Sequence, residues 1–176
     1  MCAIRLAPLV FVRPVELRKA KWRDIDLEAK EWRYLVTKTS TNHLVPLASQ
    51  AIEVLKELQP LTGRGEYVFQ VGNDPKKSMS DGTINAALKR MGYDTQTQIT
   101  GHGFRAMART ILHERLIIDP HIIEHQLAHA VPDALGTAYN RTKFIEQRVV
   151  MMQLWADYLD ELKAGAKVVP IMARIA

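Results

Sequence analysis

The apolar positions of this chain follow two periods, and the switches between them mark out its elements. After an apolar start from Met1 to Val12, Pro14 suits a first helical turn, where its missing N–H costs nothing. Glu16 in that turn complements the helix dipole, and the pattern predicts a helix over Pro14–Ala20. Trp22 to Leu27 then alternates in part, with Trp22, Ile25 and Leu27 apolar among charges. Glu31–Val36 and His43–Leu47 read as two further short strands, joined by the polar run from Thr37 to Asn42. Together they predict a small antiparallel sheet with Lys38 near a hairpin tip.

From there the period is mainly helical. Ala51, Ile52, Leu55 and Leu58 fall at helical spacing, and Pro60-Leu61-Thr62-Gly63 closes that helix. Tyr67-Val68-Phe69 reads as a short strand or extended segment. Ser80 is expected to cap a helix carrying Ile84, Ala87, Leu88 and Met91, with Gly92 as its stop. A helix from Gly103 to Arg115 follows, and Asp119-Pro120 then opens another carrying Ile122, Ile123 and Leu127. Ala134 to Arg141 is ambiguous. Phe144 to Leu162 predicts a long amphipathic helix with Ile145, Val149, Met152, Leu154, Trp155, Tyr158 and Leu159 on its apolar side. A short apolar tail runs from Ala164 to Ala176. The fold class that results is α+β, mainly α, with a small antiparallel sheet near the N-terminus.

Composition sharpens this only in places. A length of 176 residues suits one domain with a sizeable core, and 47% hydrophobic residues exclude wholesale disorder. Arg5 and Arg13 interrupt the apolar start, so no run reaches the roughly 18 residues of a membrane span. Arg5 and the lack of an A-x-A-like cleavage site also argue against a signal peptide. The lone Cys2 excludes a disulfide framework and a cysteine zinc site, and suits a reducing cytoplasm. The net charge of +5 permits a polyanionic partner without demanding one.

Four local patterns bear on chemistry. Arg13 stands just ahead of a helix, pinned by Pro14 between apolar residues, although by itself it also fits a surface arginine on an amphipathic turn. Lys38 in a polar turn is ordinary alone. His102 and Arg105 lie three apart with glycines on both sides of the histidine, so both fall near a first helical turn, where a guanidinium makes an anion site. A capping histidine beside a surface arginine would look the same. Last, Glu124-His125-Gln126-Leu127-Ala128-His129 is followed by Tyr139-Asn140-Arg141, and an isolated tyrosine is most often packing.

In order these are Arg, Lys, His-x-x-Arg, His and Tyr. In that order the chain resembles the tyrosine recombinases, and most closely the integrases of prophages and genomic islands. The residues that carry the resemblance are Val12-Arg13-Pro14-Val15-Glu16-Leu17-Arg18, His102-Gly103-Phe104-Arg105, Leu127-Ala128-His129 and Ala138-Tyr139-Asn140-Arg141. The run from Met151 to Leu159 also looks like the segment that follows the tyrosine in that group. The resemblance spans essentially Ile4 to Val169. Val15 departs from it, standing where a glycine is expected after the proline.

The resemblance implies a helical catalytic domain of the DNA breaking–rejoining type. Tyr139 would attack a phosphodiester, giving a 3′-phosphotyrosine and a free 5′-hydroxyl and keeping the bond energy for rejoining. Arg13 and Arg105 would clamp the non-bridging oxygens with planar, bidentate donors. His102 is the expected base, His129 a hydrogen-bond donor to the phosphate, and Lys38 the general acid to the departing oxygen. Lys30, slightly earlier in the chain, is the alternative to Lys38. No metal, cofactor or ATP is implied. The partners implied are double-stranded DNA at attachment sites, further copies of the chain forming a tetramer in the synaptic complex, and accessory DNA-bending proteins. No membrane is involved, and the setting is the cytoplasm of a bacterium, with a bacterial or phage gene. Residues 1–176 are expected to form a single catalytic domain without the N-terminal DNA-binding domains of the family, with a tail over 164–176 docking in trans.

Three rivals accompany this reading. His121, His125 and His129, spaced four apart, would form one stripe of a continuous helix and suggest a metal site, although no H-E-x-x-H pattern is present. A non-catalytic DNA-binding module would fit the basic, helical character but leaves the order of Arg, His and Tyr unexplained. A type IB topoisomerase shares the chemistry and would relax supercoils instead. Between Arg13 and Lys38 eight Lys/Arg face five Asp/Glu, a local excess that suits phosphate contacts or a solvated face.

Overall fold

The protein is described by a computed structural model covering residues 2–72, 74–129 and 144–165. The ambiguous stretch Ala134–Arg141, which holds Tyr139, and the apolar tail beyond residue 165 lie outside the described residues.

The apolar start, to which the sequence pattern assigns no element, is a helix, α1 (Cys2–Val10). Leu6, Ala7, Leu9 and Val10 turn inward, while Arg5 faces out and pairs with Glu57. Pro8 sits inside this helix, and its carbonyl accepts from the Trp155 indole at 2.8 Å. α1 touches five other helices and is the hub of the core. Phe11 follows it and meets Trp155 edge-on, with ring centroids 6.1 Å apart.

α2 (Pro14–Arg18) has Pro14 at its first position, as expected, and ends two residues short of Ala20. The expected strand over Trp22–Leu27 is instead a 3₁₀ turn (Trp22–Asp24) and a two-residue β1 (Ile25–Asp26). Asp26 ends the strand because its carboxylate accepts from the N–H groups of Glu28 and Ala29, which forces a turn. β2 (Glu31–Val36) and β3 (Thr41–Pro46) complete an antiparallel sheet in the order β1-β2-β3, with Trp32 opposite Val45 and Val36 opposite Thr41. The turn between them carries Lys38 at the tip, as the alternation predicts.

α3 (Ser49–Thr62) runs through Pro60 and stops at Gly63. Tyr67–Phe69 is extended, held by a bridge from Lys21 to Tyr67 and by Val68 N–H on Ala20 O. A second ribbon, β4 (Gln70–Val71) with β5 (Asp74–Ser78), was not signalled by the pattern, because β5 reads Asp-Pro-Lys-Lys-Ser and has no apolar alternation.

α4 (Thr83–Arg90) is capped at Gly82 rather than Ser80, whose hydroxyl bonds the Thr83 hydroxyl at 3.0 Å instead of a helix N–H. Met91 is exposed beyond its end, and Gly92, at φ +93°, is the stop. α5 (Gly103–Glu114), α6 (Pro120–Gln126) and α7 (Ile145–Lys163) follow the expected boundaries closely, with the Asp119 carboxylate accepting from the His121 N–H. α7 buries Met151, Met152, Trp155, Ala156 and Tyr158, but Val149 lies on its exposed side. Among the described residues no helix is long and apolar enough to cross a membrane.

Candidate active site

The site is built where three chain segments end against one another: the turn before α2, the first turn of α5, and the residues just past α6. Arg13 is the N-cap residue of α2 and keeps an extended backbone, as the residue before a proline must. That conformation sends its half-buried side chain across the molecule, where Nη2 donates to Ala128 O at 3.2 Å. Its other terminal nitrogen, Nη1, is buried and has no hydrogen-bond partner among the described residues.

Arg105 lies in the first turn of α5 and is buried, with only 5% of its surface exposed. Nη1 donates to Phe11 O at 2.9 Å and Nη2 to Leu127 O at 2.8 Å, and Nη2 also meets His129 Nε2 at 3.2 Å. These contacts use three of the five guanidinium N–H donors and leave two. Burial, then the nearby charge of Arg13, pull this group down to about 10, so it stays protonated at neutral pH. A guanidinium buried beside another guanidinium is costly unless an anion joins them.

Two of the carbonyls that hold these arginines belong to residues with left-handed backbone. Phe11 has φ +34° and Ala128 φ +51°, and neither is glycine. Each such residue costs of order 1–3 kcal/mol and persists only when its surroundings hold it. Here the holding bonds are Arg105 on Phe11 O and Arg13 on Ala128 O.

His129 is exposed on its outer side and carries a firm partner on the other. Its Nδ1 lies 2.5 Å from Glu124 Oε2, while Glu124 Oε1 accepts from Arg109 Nε at 2.6 Å. Burial works to raise the Glu124 carboxyl, but the bonds from His129 and Arg109 prevail and hold it below the usual carboxylate range. α6 ends at Gln126, so His129 leaves the line of His121 and His125, and the supposed one-helix metal stripe does not form. Among the described residues no group of three His, Cys, Asp or Glu is arranged to hold a metal ion.

Behind this front a second layer fixes the end of α6. Gln126 O accepts from His43 Nε2 at 3.1 Å, and Gln126 Oε1 accepts from Arg148 Nε at 2.9 Å. Arg148, fully buried on α7, also donates to Leu44 O. Burial, then the Arg148 charge, push His43 down to about 3, so the ring is neutral and Nε2 is its donor to the carbonyl. Tyr34 packs edge-on against His43 at 5.6 Å, and burial, then the charge of Glu16, raise its phenol.

Lys38 is exposed at the hairpin tip. The turn that carries it is anchored by buried Glu16, which accepts from the Thr37 N–H at 2.9 Å and the Thr37 hydroxyl at 3.0 Å. Glu16 is three residues from Arg13, so one short segment supplies an arginine to the pocket and an anchor to the lysine turn. Lys30 stands at the opposite end of β2, roughly 20 Å of strand away, and lines a groove with Val149, Val150 and Leu154. His102 is the N-cap residue of α5 and is exposed. Thus Arg13, Arg105 and His129 converge on the turn Leu127–His129, while Lys38 is exposed at the hairpin tip, His102 is exposed at the start of α5, and Tyr139 lies outside the described residues.

Sequence reasoning missed Glu16, His43, Glu124, Gln126 and Arg148. Only Glu16 carries a local signal, a carboxylate one helical turn past Arg13. The others act through contacts set by the tertiary fold.

The chain is 40% identical to the integrase of Enterobacteria phage P4, over 90% of this chain and 39% of that protein's length. It therefore spans well under half of that relative. In fold it is similar to an integrase from mycobacterium phage Brujita, with a TM-score of 0.65 at 16% identity over 86% of this chain and 50% of that one. It is also similar to a lambda integrase tetramer bound to a Holliday junction, with a TM-score of 0.57 at 20% identity over 77% of this chain and 42% of that one. The model of the phage integrase family matches residues 1–145, and the chain belongs to that family.

Proposed function

We propose that this chain is the catalytic domain of a site-specific DNA recombinase that integrates or excises a mobile element. The observation that carries the proposal is the pairing of Arg13 and Arg105 against the turn Leu127–His129. Two guanidiniums meet there, and a buried Arg13 Nη1 lacks a partner among the described residues. An anionic phosphodiester supplies what that pocket lacks, and planar guanidiniums match its oxygens.

In the proposed reaction the Tyr139 oxygen attacks phosphorus and forms a 3′-phosphotyrosine as the bond to the 5′-oxygen breaks. The phenol proton passes to His102, and Lys38 gives a proton to the leaving 5′-oxygen. Arg13, Arg105 and His129 stabilise the charge that builds on the non-bridging oxygens. His129 donates through Nε2 when its ring carries both protons. The Glu16 anchor favours Lys38 over Lys30 as the acid, because Lys30 faces the groove at the far end of β2.

The substrate is double-stranded DNA at attachment sites. The likeness to a lambda integrase tetramer on a Holliday junction supports a homotetramer in the synaptic complex. DNA-binding segments of a longer protein, accessory DNA-bending proteins and a cytoplasmic setting complete the reading, with the tail over 164–176 docking on a neighbouring copy. Incubation with a nicked attachment-site DNA, followed by a denaturing gel, tests the chemistry. A protein–DNA adduct lost in Tyr139→Phe is expected, and an adduct that survives that change would mean another residue attacks.

A further inference from the structure

We propose that Glu124 is a positioning residue for His129: it takes the Nδ1 proton and so fixes Nε2 as the ring atom facing Arg105 and the phosphate pocket. The inference rests on the reading of that pocket as a phosphodiester site.

An ionised carboxylate only accepts hydrogen bonds, so the Nδ1 that meets Glu124 Oε2 at 2.5 Å must carry a hydrogen. In the neutral ring Nε2 then keeps a lone pair, and that atom is the one 3.2 Å from Arg105 Nη2, a group that only donates. The tautomer is therefore set from both sides. Glu124 is itself held, because Arg109 on α5 takes its other oxygen at 2.6 Å and each carboxylate oxygen has its own donor. Its backbone carbonyl also accepts from the His129 N–H at 3.1 Å, so the histidine is tied to Glu124 twice, at main chain and side chain. Among the described residues, the charged groups nearest the ring are Arg105 and Arg109 from α5, Arg13 from before α2, and Glu124 from α6. When a phosphate enters, Nε2 is already aimed at it, and a second ring proton taken up there from solvent converts an acceptor from Arg105 into a donor to the phosphate while Nδ1 stays on Glu124.

Adduct formation on nicked DNA with the full chain tests the assignment. Glu124→Ala is expected to slow cleavage about 10- to 100-fold, the range seen when the partner orienting a metal-bound histidine is removed. Glu124→Gln keeps an oxygen for Nδ1–H and is expected to restore most of the rate. In a His129→Ala background, Glu124→Ala should add no further loss, since its effect passes through the ring. An equal loss in both backgrounds overturns the proposal. Nitrogen-15 NMR of the DNA-free protein gives an independent reading: a neutral His129 protonated at Nδ1 supports the assignment, and one protonated at Nε2 overturns it. An adduct persisting in Tyr139→Phe would defeat the proposed reaction but leave that spectrum to decide the Glu124–His129 pair.

Discussion

Glu16 and Thr37, 21 residues apart, are joined by two hydrogen bonds, one to the backbone N–H and one to the hydroxyl. This couples the segment that supplies Arg13 to the turn that supplies Lys38. Removing the carboxylate in Glu16→Ala leaves a part-buried N–H without its acceptor, at a cost of about 1–3 kcal/mol. The expected outcome is a lower thermal midpoint together with slower cleavage, and Glu16→Gln should recover part of both. Unchanged cleavage in a folded Glu16→Ala protein would show that the lysine turn does not need this anchor.

Lys38→Ala should lower cleavage of nicked DNA by about 10²–10⁴-fold, the usual worth of a general acid. A substrate whose leaving group departs without protonation should restore the rate in this variant. Lys30→Ala should leave cleavage near the starting level, since that residue faces the groove beside α7. If the better leaving group gives no rescue, Lys38 acts in some way other than proton donation.

Ala128 holds φ +51° while its carbonyl accepts from Arg13. A left-handed conformation costs an L-residue roughly 1–2 kcal/mol, against an entropic cost of about 0.5–1 kcal/mol for placing glycine in a folded chain. Ala128→Gly should therefore be neutral or stabilising by up to about 1.5 kcal/mol, with cleavage retained. Chemical denaturation of the two proteins gives the comparison, and a clear loss of stability in the glycine variant would mean the strain is relieved elsewhere.

Much of the helical frame is legible in the sequence because its signals are local. Asp119-Pro120 starts α6, Gly92 stops α4, and Pro14 starts α2 within reach of the chain itself. α1 is less legible, since its apolar run with an internal Pro8 is defined by burial against five helices that arrive later in the chain. The ribbon of β4 and β5 is polar and carries no alternation to read. The same division holds at the site. Arg13, Arg105 and His129 lie in motifs whose order is visible, whereas the bond from Arg148 to the Leu44 carbonyl spans 104 residues and has no local trace. The pairing of Glu124 with His129 is short in sequence, but it depends on α6 ending at Gln126 and the chain turning back at Ala128.

His43 makes the folded state sensitive to mild acid. Its ring is held neutral down to about pH 3, first by burial and then by the Arg148 charge, against an ordinary value of 6.5. Between those limits the unfolded chain binds a proton that the folded chain does not. Stability therefore rises with pH across this window, and is lost as pH falls from about 6.5 toward 3. The slope contributed by one such group approaches about 1.4 kcal/mol per pH unit. Carboxylates held in native pairs add their own loss mainly below about pH 5, so the upper part of the window isolates the histidine. His43→Gln keeps a side-chain N–H for the Gln126 carbonyl and has no titrating ring. Denaturant midpoints measured from pH 7 to pH 5 should fall in the parent protein and stay nearly flat in His43→Gln. An equal decline in both would place the acid sensitivity in another group and would mean that His43 gains its proton without disturbing the end of α6.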